Sequence, residues 1–164
     1  MTMINDFKVV VGDVDASIDV LREVAQWCED NNMGMWKVAE LTKDRLLCGV
    51  SEENFCIGRI GGDNTCSMIL QWYDPLFWPE AKENKAGYIH KLCVRRKYSG
   101  MGLSGKMVEF AVAECKKRGI RYLRLDTGWS RKPLCKLYES FGFRKVGKQI
   151  IGEREFALYE MKID

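Results

Sequence analysis

The apolar positions change period several times along the chain, and each change predicts an element. Phe7-Lys-Val-Val-Val11 is a short β-rich run closed by Gly12, and Asp13 or Asp15 can cap a helix begun just after it. From Ala16 to about Glu29, Ile18, Leu21, Val24, Ala25 and Cys28 recur three and four residues apart, which predicts a helix with one buried face, ended by Asn31-Asn32. Trp36 to Leu41 predicts a second short helix, while Leu46 to Val50 fits helix or strand by its period. Asn54 to Ile60 and Thr65 to Tyr73 flank Gly61-Gly-Asp-Asn64 and predict an antiparallel hairpin. Trp72, Tyr73, Phe77 and Trp78 then gather around Asp74-Pro75 and Pro79, and the polar segment Glu80 to Lys85 completes a loop.

Gly87 to Val94 is a strand leading into a glycine-rich turn. The next helix carries Leu103, Met107, Val108, Ala111 and Cys115 on one face and Lys106, Glu109, Lys116 and Lys117 on the other, with Gly119 as its stop. Arg121 to Asp126 is the following strand, so residues 87–127 read as a strand, turn, helix, strand unit whose crossover suits two parallel strands. Pro133 fits the first turn of a helix through Leu134, Leu137 and Tyr138 that ends near Gly142. Phe143 to Ile151 and Glu155 to Ile163 are two closing strands. The order predicts a mixed, mostly antiparallel α/β sheet with one parallel βαβ crossover.

Composition narrows the class. At 164 residues, 46% hydrophobic and 30% charged, the chain fits one soluble domain over 1–164 with a sizeable core. A net charge of +3 gives no argument for nucleic acid, and no apolar run is long enough for a membrane span. The polar start Met-Thr-Met-Ile-Asn-Asp lacks the layout of a signal peptide, so a cytoplasmic protein is expected. Seven cysteines without a Cys-x-x-Cys pair read as reduced, mostly structural thiols, and a single histidine gives a zinc site poor support. The sequence is silent on oligomeric state.

The turn Gly100-Met-Gly-Leu-Ser-Gly105 matches two phosphate-binding patterns. As G-x-G-x-x-G, with Asp126 ending the next strand, it reads as a dinucleotide fingerprint. The basic segment Arg95 to Ser99 intervenes before the first glycine, however, and too little chain follows Asp126 for a doubly wound sheet. As the start of a nucleotide-triphosphate loop it lacks the hydroxyl ligand, since Met107 follows Lys106.

A third reading uses more of the chain. Leu92-Cys-Val94 followed by Ser99-Gly100-Met101-Gly102-Leu103-Ser104 resembles the acyl-CoA-binding segment of the GNAT family of N-acetyltransferases. Leu137-Tyr-Glu-Ser-Phe-Gly-Phe143 resembles that family's Leu-Tyr-x-x-x-Gly-Phe signature. Ser99 stands for the usual Arg or Gln, Ser104 for Gly or Ala, and Arg131 for a common Asn. The resemblance covers about residues 87–147, and implies a GNAT-like (acyl-CoA N-acyltransferase) fold, acetyl-CoA as cofactor, and direct acetyl transfer to a primary amine of a small molecule or peptide.

The resemblance also implies roles. Backbone N–H groups of Leu92, Cys93 and Val94 would meet the thioester and the pantetheine arm, and those of Ser99, Gly100, Met101, Gly102, Leu103 and Ser104 the pyrophosphate. Arg131 and Lys132, with Arg95, Arg96 and Lys97, are either a positive rim for the CoA phosphates or a solvated surface. Tyr138 is the candidate acid for the departing thiolate, since a phenol of pKa about 10 stays protonated at neutral pH; its other role is a core tyrosine. His90 is the candidate base, direct or through water, against a core hydrogen-bonding role. Asp74, Glu80 and Glu83 are fallback bases or amine anchors, otherwise solvated loop positions. Trp36 and the stretch Trp72 to Trp78 serve either packing or an acceptor pocket. The rival function is a non-catalytic acyl-CoA-binding domain.

Overall fold

A computed structural model describes residues 6–164, so the first five residues of the polar start lie outside the described residues. The strands are β1 (Phe7–Val11), β2 (Phe55–Ile60), β3 (Asp63–Gln71), β4 (Gly87–Val94), β5 (Tyr122–Gly128), β6 (Arg144–Ile151) and β7 (Arg154–Lys162). The helices are α1 (Val14–Asp30), α2 (Lys43–Leu46), α3 (Leu103–Lys117) and α4 (Lys132–Ser140). One mixed sheet runs in the order β1-β2-β3-β4-β5-β7-β6. β4 and β5 pair in parallel, joined through α3, whereas β1–β2, β2–β3, β5–β7 and β6–β7 are antiparallel. This is the fold class that the spacing of apolar residues predicts. Among the described residues no helix is long and apolar enough to cross a membrane.

The chain divides into two compact units, one comprising residues up to Ile69 with Lys91–Met107, the other Leu70–His90 with Val108–Asp164. In the first, the predicted face of α1 (Ile18, Leu21, Val24, Ala25, Cys28) is buried together with Phe55, Ile57, Ile69 and Cys93. Asp13 caps α1 by accepting the Ala16 N–H. In the second, Gly87, Tyr88 and Ile89 pair with Leu123, Arg124 and Leu125, and β5 alternates half-buried and buried residues along its length. Leu123, Phe143, Ala157 and Tyr159 are buried in this unit.

Two predicted elements differ. Trp36 to Leu41 does not form a helix: only a 3₁₀ turn, Val38–Glu40, appears before α2. Tertiary hydrogen bonds compete for this backbone. Arg22 donates to the Val38 and Leu41 carbonyls, both at 3.0 Å, and the Val38 N–H goes to Glu29 Oε1 at 3.0 Å. The hairpin turn is also shorter than expected, because Asp63 and Asn64 join β3. Asn64 Oδ1 accepts from Arg59 Nε at 2.7 Å and Asp63 Oδ2 from Tyr98 Oη at 2.9 Å, leaving Gly61 (φ 61°) and Gly62 as the tip.

None of the seven cysteines is in a disulfide, and all but Cys48 are buried. Burial pushes Cys66 and Cys115 up to about 11, and Cys93 further in the same direction. The folded state therefore holds these protons more tightly than the unfolded chain. That contribution to stability is complete below the ordinary thiol pKa of about 8.5 and is lost as pH rises through 11. The melting temperature is expected to start falling above about pH 8.5, with a shallower slope in the double variant Cys66→Ala, Cys115→Ala. Packing gives a second test. A Cβ at Gly58 would lie 2.5 Å from Cys66 Sγ and 2.6 Å from Phe7 Cε2. Gly58→Ala is expected to cost about 1–3 kcal/mol in urea unfolding, from overpacking alone.

Candidate active site

The glycine turn belongs to the first unit. β4 is extended until Lys91, whose φ of 52° is left-handed, uncommon for a residue with a side chain. Its ammonium lies over the Trp36 ring, 5.5 Å from the centroid. Beyond it, Leu92 and Val94 are half-buried and Cys93 buried, so the thiol packs and the main chain is what this stretch has to offer a ligand. A 3₁₀ turn, Arg96–Tyr98, then leads to Ser99, Gly100, Met101 and Gly102.

Gly100 and Gly102 have φ of 79° and 74°, and a Cβ on either would meet nothing within 4 Å. They are glycines for their backbone conformation, and they border open space. Leu103, buried, opens α3, and the first helical bond runs from the Lys106 N–H to the Gly102 carbonyl at 3.3 Å. The N–H groups of Leu103, Ser104 and Gly105 precede that ladder, at the positive end of the helix dipole. The residues present thus fit a pyrophosphate.

The basic run beside the turn is not uniform. Arg95 is engaged with Glu23 through Nε at 2.7 Å and Nη2 at 3.2 Å, and donates Nη1 to the Asn64 carbonyl at 2.9 Å. It ties α1 to the strand end, which removes it from the expected rim. Arg96 and Lys97 are exposed, with the Arg96 guanidinium 4.1 Å from the Trp27 ring centroid.

The second unit holds the titratable candidates. His90 lies between two carboxylates: Nε2 is 3.3 Å from Asp74 Oδ2 and Nδ1 is 3.7 Å from Asp126 Oδ1. Asp74 is buried, not the solvated loop position expected for it. Its Oδ1 accepts the Phe77 N–H at 3.3 Å and its carbonyl the Trp78 N–H at 3.0 Å, so the loop after β3 winds around it. By sequence Asp126 stands out only as a possible ribose ligand. The parallel register that sets Ile89 against Leu125 brings it beside His90, one residue further along both strands. One ligand atom from each of the three residues lies within 4.8 Å of the others, a spacing on the scale of a shared cation. Glu80 and Glu83 are exposed.

Tyr138, on α4, is 8% exposed and sits in an aromatic group, 6.2 Å from Phe143 edge-on and 6.4 Å from Tyr159. Arg131 is the N-cap residue of α4 and half-buried, with its side chain lying under Gly128, where a Cβ would stand 3.0 Å from Cγ and Cδ; Lys132 is exposed. The expected aromatic pocket divides. Phe77 and Trp78 line a cavity of about 660 Å³ with Glu80, Lys82, Arg124 and Leu158. Trp72 packs instead under the Arg118 guanidinium at 4.0 Å, and Trp36 against the core of the first unit.

Comparison with known proteins bears on this geometry. Residues 21–143 match the model of the acetyltransferase (GNAT) family. Uncharacterized N-acetyltransferase YesJ of Bacillus subtilis (strain 168) is 21% identical over 166 residues, spanning 94% of this chain and 87% of the relative. A GNAT-family acetyltransferase structure from Listeria monocytogenes 4b F2365 superposes with a TM-score of 0.75 at 21% identity, covering 96% and 95% of the two chains. A Bacillus anthracis str. Ames structure, described as a streptothricin acetyltransferase in complex with acetyl coenzyme A, gives 0.57 at 19% identity over 67% and 62%. With its mixed sheet, its single parallel crossover and a family match across most of its length, the chain belongs to the GNAT family of acetyltransferases.

Proposed function

We propose that this protein is an acetyl-CoA-dependent N-acetyltransferase that moves the acetyl group directly onto a primary amine of a small molecule or peptide. The observation that carries the reading is the turn at Gly100 and Gly102. Two left-handed glycines open a helix of 15 residues with open space over both, the arrangement that lets a pyrophosphate reach main-chain N–H groups. The acetyl coenzyme A bound in the Bacillus anthracis structure and the N-acetyltransferase name of the Bacillus subtilis relative point the same way.

Acetyl-CoA supplies the acetyl group as a thioester. In this reading Ser99, Gly100, Met101, Gly102, Leu103 and Ser104 hold the pyrophosphate, and Leu92, Cys93 and Val94 offer main-chain groups to the pantetheine arm and the thioester carbonyl. Arg131 and Lys132, with Arg96 and Lys97, contribute positive charge for the phosphates. His90 takes a proton from the amine and the Tyr138 hydroxyl gives one to the departing thiolate. Three of the buried thiols are poorly suited to the alternative route through an acetyl-cysteine. Burial of Cys66, Cys93 and Cys115 raises all three, which disfavours the thiolate that an acetyl-cysteine route needs.

Thiol release with a panel of primary amines, run beside CoA binding by calorimetry, tests the reading. A folded protein that binds CoA but releases no thiol with any of the amines would be a non-catalytic acyl-CoA-binding domain. Gly102→Ala is expected to weaken CoA binding roughly tenfold, since about 1–2 kcal/mol of left-handed strain opposes the turn. Tyr138→Phe is expected to lower kcat about 100-fold with CoA affinity unchanged. Full turnover in that variant would remove the acid role.

A further inference from the structure

His90 turns its two ring nitrogens to different carboxylates, and the two carboxylates are held in different ways. Asp74 is 7% exposed, and its Oδ1 is fixed by the Phe77 N–H. Its Oδ2 is buried and has no hydrogen-bond donor, although His90 Nε2 stands 3.3 Å away without the alignment of a hydrogen bond. An unsatisfied buried acceptor destabilises the folded state until a donor reaches it. A proton on Nε2, with a small rotation of the ring, supplies the missing donor. On the other side Nδ1 is 3.7 Å from Asp126 Oδ1, beyond hydrogen-bond reach, and the Asp126 side chain is 14% exposed.

We propose that Asp74 is a positioning residue that holds His90 as its Nε2–H tautomer, leaving the Nδ1 lone pair, beside Asp126, as the atom that accepts the proton. The inference rests on the acetyl-transfer reading for its use, but not for its geometry. The acceptor amine arrives as an ammonium. One of its protons passes to Nδ1, and the electron pair of that N–H bond stays on the amine nitrogen to attack the thioester carbon. The C–S bond then breaks with its pair on sulfur, and the second proton shed by the nitrogen replaces the one that the thiolate takes from Tyr138, leaving amide, free thiol and one proton on Nδ1. The imidazolium then carries an N–H toward each carboxylate, and later returns the proton from Nδ1 to water.

The other charges near the ring are committed elsewhere. Tyr88, on the same face of β4, accepts Arg124 Nη1 at 3.1 Å, and Arg124 Nε pairs with Glu160 Oε2 of β7 at 2.8 Å. Opposite Asp126, β7 presents Leu158. Among the described residues, Asp74 and Asp126 are the carboxylates within 4 Å of the His90 ring. A shared divalent cation suits this arrangement less well, because a single ring nitrogen would have to serve a metal that both carboxylates also bind. Here Nδ1 and Nε2 each face their own carboxylate.

His90 is the only histidine in the chain, so selective ¹⁵N-histidine labelling reads this one ring. The neutral wild-type ring is expected to show protonated Nε2 and unprotonated Nδ1. In Asp74→Asn the side-chain amide donates to Nε2 instead, so the tautomer moves toward Nδ1–H, and kcat falls about tenfold or more with KM for acetyl-CoA unchanged. A wild-type ring protonated on Nδ1 would overturn the proposal, as would ¹⁵N shifts that Asp74→Asn leaves in place, or displacement of the wild-type signals by micromolar Zn²⁺. If Asp74→Asn does not fold, the wild-type tautomer decides alone. A protein with the expected tautomer that acetylates no amine supports the positioning by Asp74 and counts against the acetyl-transfer reading instead.

Discussion

What β4 does after Ile89 governs the candidate site. Up to that residue the strand is locked to β5 by a parallel ladder. At Lys91 the backbone turns left-handed, in a conformation that a residue with a Cβ adopts only where its surroundings impose it. His90 ends the segment of β4 that belongs with β5 and β7, and Leu92 to Val94 belong with β2, β3 and the glycine turn. One strand therefore supplies both a titratable side chain and a stretch of main chain whose side chains pack. A straight strand would have continued the alternation of faces.

The polar groups of the second unit illustrate how a loop sets chemistry on a strand. Asp74 precedes a proline in a loop rich in aromatic residues, and its carboxylate is consumed on one side by the N–H of Phe77. Phe77 packs edge-on against Phe156, with ring centroids 5.1 Å apart, and Trp78 lies under the Arg124 guanidinium at 4.4 Å. These contacts fix the loop, and the loop fixes the carboxylate beside His90. The aromatic cluster that suggests a pocket in the sequence thus has two effects: it lines a cavity, and it buries an acid that would otherwise be solvated.

Much of the fold was legible because local physics and packing agree. α1 and α3 bury the faces their spacing predicts, β4 has the boundaries read from its residues, and Gly100, Gly102, Gly119 and Gly142 all take the left-handed conformations expected of turns and helix ends. Trp36 to Leu41 failed because Arg22 and Glu29, distant in sequence, bind its backbone groups and outweigh a weak helical preference. The glycine turn and Leu-Tyr-x-x-x-Gly-Phe were readable because their residue types answer to backbone constraints that travel with the sequence.

The sequence by itself determined the order of elements, the parallel crossover, the glycine-rich turn and the identity of the one histidine. Only the tertiary structure decided that Asp74 is buried, that Asp126 stands beside His90, and that Arg95 is spent on Glu23. These are register and long-range contacts. A sequence states which residues carry charge, whereas the free energy of each charge depends on which neighbours and how much water the fold leaves around it.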